Sequence, residues 1–219
     1  MLNVEEVICP ELKLAVCNVK EAARMVLHTI VVCRSIGGVR PIEPKVVHSE
    51  LFDCTYMKTD ELEIDQELEQ SVRNFAEIFE TNLGTSGRAY LKLNLYATKS
   101  RKQSMWNLLV GGEEKVIFEQ WCLPVAVQKM RRHVTPAENL REEAENQKLA
   151  SKQVEEVLHF IISKANSKVD HLPPPPQTQA SYRYDISFTS IDGKGLQSSP
   201  RSMLPQGFSH TLKHIPHIA

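Results

Sequence analysis

The chain has 219 residues, of which 42% are hydrophobic and 24% are charged, a composition typical of a globular protein with one large domain or two small ones. Its 26 basic and 27 acidic residues give a net charge of −1, which argues against nucleic acid as the main partner. Five cysteines form no C-x-x-C pair, and residues 1–6 lack the basic start and apolar run of a signal peptide. We therefore expect a reduced, cytosolic or nuclear protein whose cysteines are small buried hydrophobic residues.

A helix over residues 19–36 is predicted to organise the core, after a short strand over residues 12–17. Because apolar residues cover most of the helix circumference, it should be buried on more than one side. Asn18 followed by Glu21 resembles a capping box, and Gly37-Gly38 supplies a helix end. Two adjacent valines would also suit a strand, but capping and length favour a helix. The segment is too short and too charged for a transmembrane span, which needs roughly 20 apolar residues.

Two strands and a second helix follow. Residues 50–58 are rich in aromatic and β-forming side chains, which is typical of a strand, and residues 45–48 could pair with them. Asp60 and Glu63 form another capping pattern, so the second helix should begin near Asp60. It is predicted to be amphipathic, with one buried stripe formed by Ile64, Leu68, Val72, Phe75 and Phe79.

Two long strands are predicted over residues 89–97 and 116–128, where apolar and polar side chains alternate. Pro124 has no N–H donor, so the second strand should lie at a sheet edge or carry a bulge at that position. The connection between them, residues 99–115, is far longer than the two to five residues of a hairpin turn. Its tip carries Trp106, Leu108 and Leu109, which either fold back over the core or form an exposed hydrophobic finger for a partner.

A long third helix is predicted from Thr135 to about Ser167, with Thr135 as N-cap and proline at its first position. Its first half is mostly polar and should be solvated, whereas its second half carries an apolar stripe that should pack on the sheet or on a partner. Pro173–Pro176 is more typical of a rigid connector than of a docking motif, and residues 182–188 alternate as a last strand. The tail, residues 193–219, has no periodic apolar pattern and is expected to be poorly ordered.

No catalytic, cofactor or metal motif stands out. The glycine pairs lack the residues of phosphate or dinucleotide loops, and neither G-x-S-x-G nor H-E-x-x-H occurs. His28 is expected to be a hydrogen-bonded core histidine, and Cys122 lacks the partners of a nucleophile. The remaining candidates, His210, His214 and His217, lie in the tail without groups to orient them as metal ligands. We therefore expect no cofactor, and a binding or scaffold protein rather than an enzyme.

Four short patches follow one another in a specific order. They are Leu27-His28-Thr29-Ile30 with Arg34 and Gly38-x-Arg40-Pro41; Glu50-Leu51-Phe52-Asp53-Cys54-Thr55-Tyr56; Phe118-Glu119-Gln120-Trp121; and Asp170-His171-Leu172-Pro173-Pro174. Their order and spacing resemble the family of autophagy-related protein 101, whose members are HORMA-domain proteins. The resemblance implies one α+β HORMA domain over residues 1–192, with three main helices packed against an antiparallel-rich sheet. The order of predicted elements fits that fold independently.

The resemblance also implies a scaffold function. Family members pair with the HORMA domain of autophagy-related protein 13, stabilise it, and belong to the kinase complex that initiates autophagy at the phagophore assembly site. A loop bearing Trp and Phe recruits downstream factors in the family. By position, Trp106 carries over as its anchor, whereas Leu108 and Leu109 lie where the family often has Pro and Phe. This favours the exposed finger.

The partner-facing surface follows only by analogy with HORMA dimers. It is expected on the polar part of the third helix, at Lys152, Glu155, Glu156 and His159, although a merely solvated face is the alternative. Because the tail has little strand pattern, we expect an open-like form that dimerises and does not close around a peptide. Two other functions stay open: a HORMA-type peptide adaptor in checkpoint or chromosome signalling, and an enzyme with an unrecognised site near His28 or Cys122.

Overall fold

The computed structural model describes residues 4–35, 43–82, 87–100, 113–128, 135–174 and 182–190. The predicted helix end at residues 37–38, the proposed finger, residues 175–181 and the tail therefore lie outside the described residues. In chain order, the elements are β1 (Glu5–Ile8), β2 (Leu12–Leu14), α1 (Val16–Ser35), β3 (Pro44–Ser49), β4 (Cys54–Thr59), α2 (Leu62–Glu77), β5 (Gly87–Ser100), β6 (Glu113–Val127), α3 (Pro136–Ser167) and β7 (Arg183–Ser190).

One five-stranded sheet and one hairpin make up the β-structure of these ranges. The sheet has the order β1-β6-β5-β7, and β2 also pairs with β6, beyond the end of β1. Strand β5 runs antiparallel to β6 and β7, whereas β1 and β2 run parallel to β6. Strands β3 and β4 form the predicted separate antiparallel pair, but residues 50–53, predicted as the start of the second strand, form the turn between them. With three helices beside this sheet, the fold is α+β and HORMA-like, which confirms the predicted class.

Pro124 lies in an inner strand, so the prediction of an edge strand is wrong. Strand β6 pairs with β5 on one side and with β1 and then β2 on the other. Between the paired positions Ile8–Cys122 and Leu12–Val125, the neighbouring chain leaves the ladder after the N–H of Cys9, which still donates to the Cys122 carbonyl at 2.9 Å. Pro124 stands opposite this break, where the missing N–H donor costs least.

The irregularity of β6 occurs at Phe118 instead. Leu95 pairs with Glu119 and Tyr96 pairs with Ile117, so Phe118 is the one extra residue of a bulge. Adjacent residues of a regular strand point to opposite faces, but here Phe118 and Glu119 are both buried. The bulge therefore allows a carboxylate to enter the core next to an aromatic ring.

Helix α1 is the buried centre of the helical layer, and the choice of helix over strand is confirmed. Most of its 20 residues are buried, and it contacts α2, α3 and β4. It begins at Val16, so the predicted N-cap at Asn18 is wrong. The side-chain amide of Asn18 instead donates a hydrogen bond of 2.7 Å to Gln147 Oε1 of α3. A long-range contact has replaced the local cap.

Helix α2 is amphipathic as predicted, but it starts differently. Glu61 is its N-cap and makes no side-chain capping bond, so the Asp60–Glu63 capping pattern is not formed. The backbone N–H of Glu61 is bound by Thr59 Oγ1 at 3.1 Å. The predicted stripe points inward, and a π-helical stretch over Ile78–Asn82 continues the helix.

Helix α3 matches its prediction most closely. Thr135 accepts a hydrogen bond from the backbone N–H of Glu138, and proline occupies the first turn. Burial begins only at Ala150, after which Val154, Val157 and Ile161 pack inward. The polar first half therefore extends along the surface, while the second half joins the core beside α1 and β2.

The cysteines only partly behave as predicted. Cys9 is buried and Cys33, Cys54 and Cys122 are half-buried, but Cys17 is exposed on the first turn of α1. All five are free thiols. Over the described ranges, we find no helix whose length and hydropathy would let it cross a membrane.

Candidate functional site

The proposed finger joins two strands that extend beyond the rest of the sheet. Strands β5 and β6 stay paired as far as Ser100 and Glu113. Strand β7 stops pairing opposite Tyr96, and β1 starts opposite Glu119. The last four residues of β5 therefore form a two-stranded ribbon with β6, about 14 Å long at roughly 3.4 Å per residue. The predicted anchors Trp106, Leu108 and Leu109 lie in the connection after this ribbon, outside the described residues.

A cation anchors the base of this ribbon. Lys115 Nζ lies 3.9 Å from the centre of the Tyr96 ring and pairs with the Asp185 carboxylate of β7. A cation above an aromatic ring, combined with an ion pair, ties three strands together at one point. The ribbon therefore starts from a fixed position on the sheet.

The four predicted interface residues share one exposed face of α3. The exposed fractions of their side chains are 72% for Lys152, 62% for Glu155, 61% for Glu156 and 77% for His159. Lys152 Nζ lies 3.7 Å from Glu156 Oε1, and His159 Nε2 lies 3.9 Å from Glu155 Oε1. Such exposed pairs contribute only about 0.3–0.5 kcal/mol each, so a partner could replace them at little cost.

The opposite side of the same helical turns is fixed in the core. Val154 and Ile161 are fully buried, as is almost all of Val157. At the end of the helix, Arg34 donates hydrogen bonds to the carbonyls of Ala165 at 2.7 Å and Lys168 at 3.1 Å. The polar face is therefore presented by a rigid helix.

Arg34 belongs to a buried network that the sequence analysis did not identify. Glu119, fully buried, accepts a 2.9 Å hydrogen bond from Arg34 Nε and another from the indole N–H of Trp121. Its second oxygen lies 2.6 Å from His171 Nε2, in the segment after α3. The four residues all occur in the patches of family resemblance, but only the fold brings them together. The available signal was an acid in a strand, directly after Phe118 and two residues before Trp121.

A second polar cluster lies between α1, α2 and β4, around His28. His28 is completely buried, and neither ring nitrogen makes a hydrogen bond to any residue that the structure describes. The prediction of a hydrogen-bonded core histidine is therefore wrong. Nε2 lies 3.4 Å from Asp65 Oδ1, which itself lies 2.7 Å from Lys58 Nζ. Burial lowers the pKa of His28 to about 4, assisted by the charge of Lys58.

Arg24 holds the other side of this cluster. Its guanidinium binds both carboxylate oxygens of Glu69, with 2.8 Å between Nη2 and Oε2, and it also contacts Glu21. These hydrogen bonds lower the pKa of the Glu69 carboxyl. Burial raises the pKa of the nearby Tyr56 to about 12. The His28 imidazole therefore faces the carboxylate of Glu69, which Arg24 binds, and that of Asp65, which lies beside Lys58.

Comparison with known proteins is consistent across organisms. A family model described as Autophagy-related protein 101 matches residues 11–179, more than half of the chain. The protein of that name from Arabidopsis thaliana is 26% identical over 200 residues, covering 86% of this chain and 89% of its own length. The Homo sapiens protein is 25% identical over 205 residues, covering 81% and 85%. The Xenopus tropicalis protein is 23% identical over 185 residues, covering 80% and 78%. The chain therefore belongs to the autophagy-related protein 101 family and is an autophagy-related protein.

Proposed function

We propose that this protein is a non-catalytic scaffold subunit of the kinase complex that initiates autophagy. It pairs with and stabilises the HORMA domain of autophagy-related protein 13, and it recruits downstream factors through the Trp-bearing connection between β5 and β6. It acts in the cytoplasm and at the phagophore assembly site. Its HORMA domain spans residues 1–192, and residues 193–219 form a tail outside that domain. The work of such a subunit is to hold two surfaces at fixed positions.

The pairing surface is the α3 face formed by Lys152, Glu155, Glu156 and His159. The single observation that carries this proposal is that these four exposed side chains lie on a helix whose other side is locked in the core. A helix whose backbone is already fixed loses little backbone entropy on binding, which favours affinity. With neutral His159, the four side chains carry a net charge of −1, so the complementary surface of the partner should be basic or a donor of hydrogen bonds.

The recruiting surface is the segment with Trp106, Leu108 and Leu109. The ribbon of β5 and β6 ends with Ser100 and Glu113 paired, and Lys115 anchors its base. Tryptophan is among the residues that contribute most to binding at protein interfaces, and adjacent leucines add apolar area. The two surfaces are carried by different elements, and we expect both partners to bind at the same time.

Charge reversal on α3 tests the pairing surface. The variant Glu155→Arg/Glu156→Arg should lose the one-to-one complex with the HORMA domain of autophagy-related protein 13 in size-exclusion chromatography with light scattering. The matched control is Glu143→Arg/Glu145→Arg, which makes the same charge change on exposed residues of the same helix and should keep the complex. Loss of the complex in both variants, or in neither, would contradict the assigned surface.

The Trp106→Ala variant tests the division of the two surfaces. It should form the one-to-one complex as the unmodified chain does, because the finger does not take part in pairing. In cells, it should fail to support recruitment of downstream factors while remaining bound to autophagy-related protein 13. Loss of pairing by a folded Trp106→Ala protein would show that the finger belongs to the pairing surface. If even the unmodified chain forms no complex, the partner itself is wrong.

A further inference from the structure

The cluster around His28 has the arrangement of a cation site. On α2, Asp65 and Glu69 are four residues apart, so both carboxylates lie on the same face of the helix. That face meets His28 of α1. One donor atom from each of the three side chains lies within 4.8 Å of the other two. The fold thus brings one nitrogen donor from α1 and two oxygen donors from α2 close together.

The closest pair of donors has the separation of a tetrahedral zinc site. In such a site, bonds of about 2.1 Å to nitrogen and oxygen place two ligand atoms roughly 3.4 Å apart. The distance from His28 Nε2 to Asp65 Oδ1 is 3.4 Å. The donor atom of Glu69 lies within 4.8 Å of the other two, so it exceeds this separation by at most 1.4 Å (4.8 − 3.4), a gap that side-chain rotation can close. A water molecule would complete the tetrahedron from the solvent side.

His28 provides an independent indication of a ligand. A buried imidazole normally forms hydrogen bonds, because an unpaired buried polar group costs about 1–3 kcal/mol. Here the side chain is completely buried, neither ring nitrogen forms a hydrogen bond with the described residues, and Nε2 lies 3.4 Å from Asp65 Oδ1. Coordination of a metal ion by Nε2 would satisfy this nitrogen.

The charges around the cluster are compatible with a bound metal ion that takes the place of the Lys58 ammonium group. Glu21, Asp65 and Glu69 carry three negative charges, and Arg24 and Lys58 carry two positive ones. Lys58 is 28% exposed, so its ammonium group can turn into solvent and release Asp65. Arg24 can stay bound to Glu69 when the metal binds, because each carboxylate oxygen has a second lone pair. Its hydrogen bonds would then orient the ligating carboxylate of Glu69.

From this geometry, we propose that His28, Asp65 and Glu69 form a zinc-binding site that links α1 to α2 and competes with Lys58. This site is independent of both surfaces of the proposed function, because α3 and the β5–β6 ribbon contribute none of its donors. Zinc would favour the folded state, since a ligand that binds only the native protein stabilises it by mass action.

The probe is zinc chloride, titrated by calorimetry into the full chain after treatment with a chelator. Other donors are removed first: Cys17 is changed to Ser, and the tail residues His210, His214 and His217 are changed to Gln. One equivalent of zinc should bind. Cobalt(II), added in its place, should give the visible bands of a four-coordinate ion without the near-ultraviolet band of a sulfur ligand. A sulfur band, or zinc binding that does not saturate, would overturn the proposal.

Three substitutions distinguish this site from adventitious binding. Asp65→Asn should weaken zinc binding by more than the roughly 10–100-fold that loss of an outer-shell partner costs, because it removes a ligand. Its matched control Asp53→Asn, at a side chain that is 95% exposed, should not. Lys58→Met should tighten binding by about fivefold, the factor that corresponds to a partly exposed ion pair. This gain of affinity does not depend on a destabilised fold.

Three results of these measurements would contradict the zinc site. Equal affinity in Asp65→Asn and Asp53→Asn would overturn the proposal, and so would an affinity that Lys58→Met leaves unchanged. If only Lys58→Met binds zinc, then Lys58 closes the site in the natural chain, and the proposal for the natural protein is wrong.

Discussion

Glu119→Gln should destabilise this protein strongly, although it changes the shape of the side chain very little. Glu119 is completely buried and the Arg34 side chain is 3% exposed, so neither charge can be compensated by solvent. Gln keeps one oxygen for the indole N–H of Trp121, but it removes the negative charge opposite Arg34. Breaking a buried ion pair from one side costs about 3–5 kcal/mol, because the remaining charge is left buried and unpaired. That is a large fraction of the 5–15 kcal/mol by which native proteins are typically stable.

The assay is equilibrium unfolding in urea, followed by far-ultraviolet circular dichroism. The transition midpoint should fall while the slope stays constant, since the surface exposed on unfolding is the same. Glu114→Gln is the matched control, because it makes the same change at an exposed position of β6 and should alter stability by less than about 0.5 kcal/mol.

A double-mutant cycle separates the ion pair from its neighbours. Arg34→Met should cost about as much as Glu119→Gln, since it removes the guanidinium that pairs with the buried carboxylate and also the hydrogen bonds to Ala165 and Lys168. The variant Arg34→Met/Glu119→Gln should cost clearly less than the sum of its parts, by an interaction energy of about 0.5–3 kcal/mol. A single Glu119→Gln cost below about 1 kcal/mol, or additive costs, would refute this account of the network.

Three further predictions concern α3 and the cysteines. Ile161→Ala should lower the free energy of unfolding by about 2–5 kcal/mol, because this side chain is fully buried. The control Leu140→Ala, at a residue that is 67% exposed, should change it little. Similar urea midpoints for the two variants would contradict this prediction. Thr135→Ala should lower the free energy of unfolding by about 1 kcal/mol in the same assay, through loss of the N-cap. An unchanged urea midpoint would contradict this and would show that the first half of the helix unfolds separately from the rest. Burial raises the pKa of the Cys9 thiol to about 12, so at pH 8 a thiol reagent should modify exposed Cys17 first and reach Cys9 only on unfolding. Early modification of Cys9, mapped by mass spectrometry, would contradict its burial.

Local patterns predicted the elements well where the same hydrophobic periodicity continues over many residues. The alternation in β5 and the turn-by-turn apolar stripe of α2 are repeated often enough that tertiary contacts do not override them. The N-cap of α3 was also predictable, since Thr135 and Glu138 are close in sequence and α3 begins at the surface.

Local patterns failed where a distant residue offered a better partner. Asn18 has the sequence context of a cap, yet its amide binds Gln147 of α3, and α1 starts two residues earlier. Pro124 suggested an edge strand, but it lies in an inner strand. It is tolerated there because the chain that pairs with β6 is interrupted between β1 and β2, opposite Pro124. A sequence window of a few residues contains neither Gln147 nor the break between β1 and β2.

The sequence by itself determined the three helices and most of the strands, although not β1, because side-chain periodicity fixes the face that each segment must bury. It also indicated the polar face of α3, since charged residues at helical spacing must avoid the core. Only the tertiary structure decided that Glu119 meets Arg34 and His171, and that His28 faces Asp65 and Glu69. These contacts join residues far apart in the chain, and a bulge at Phe118 alters which side chains of β6 point inward. Polar contacts inside a fold depend on strand register and helix packing, and the whole chain sets both together.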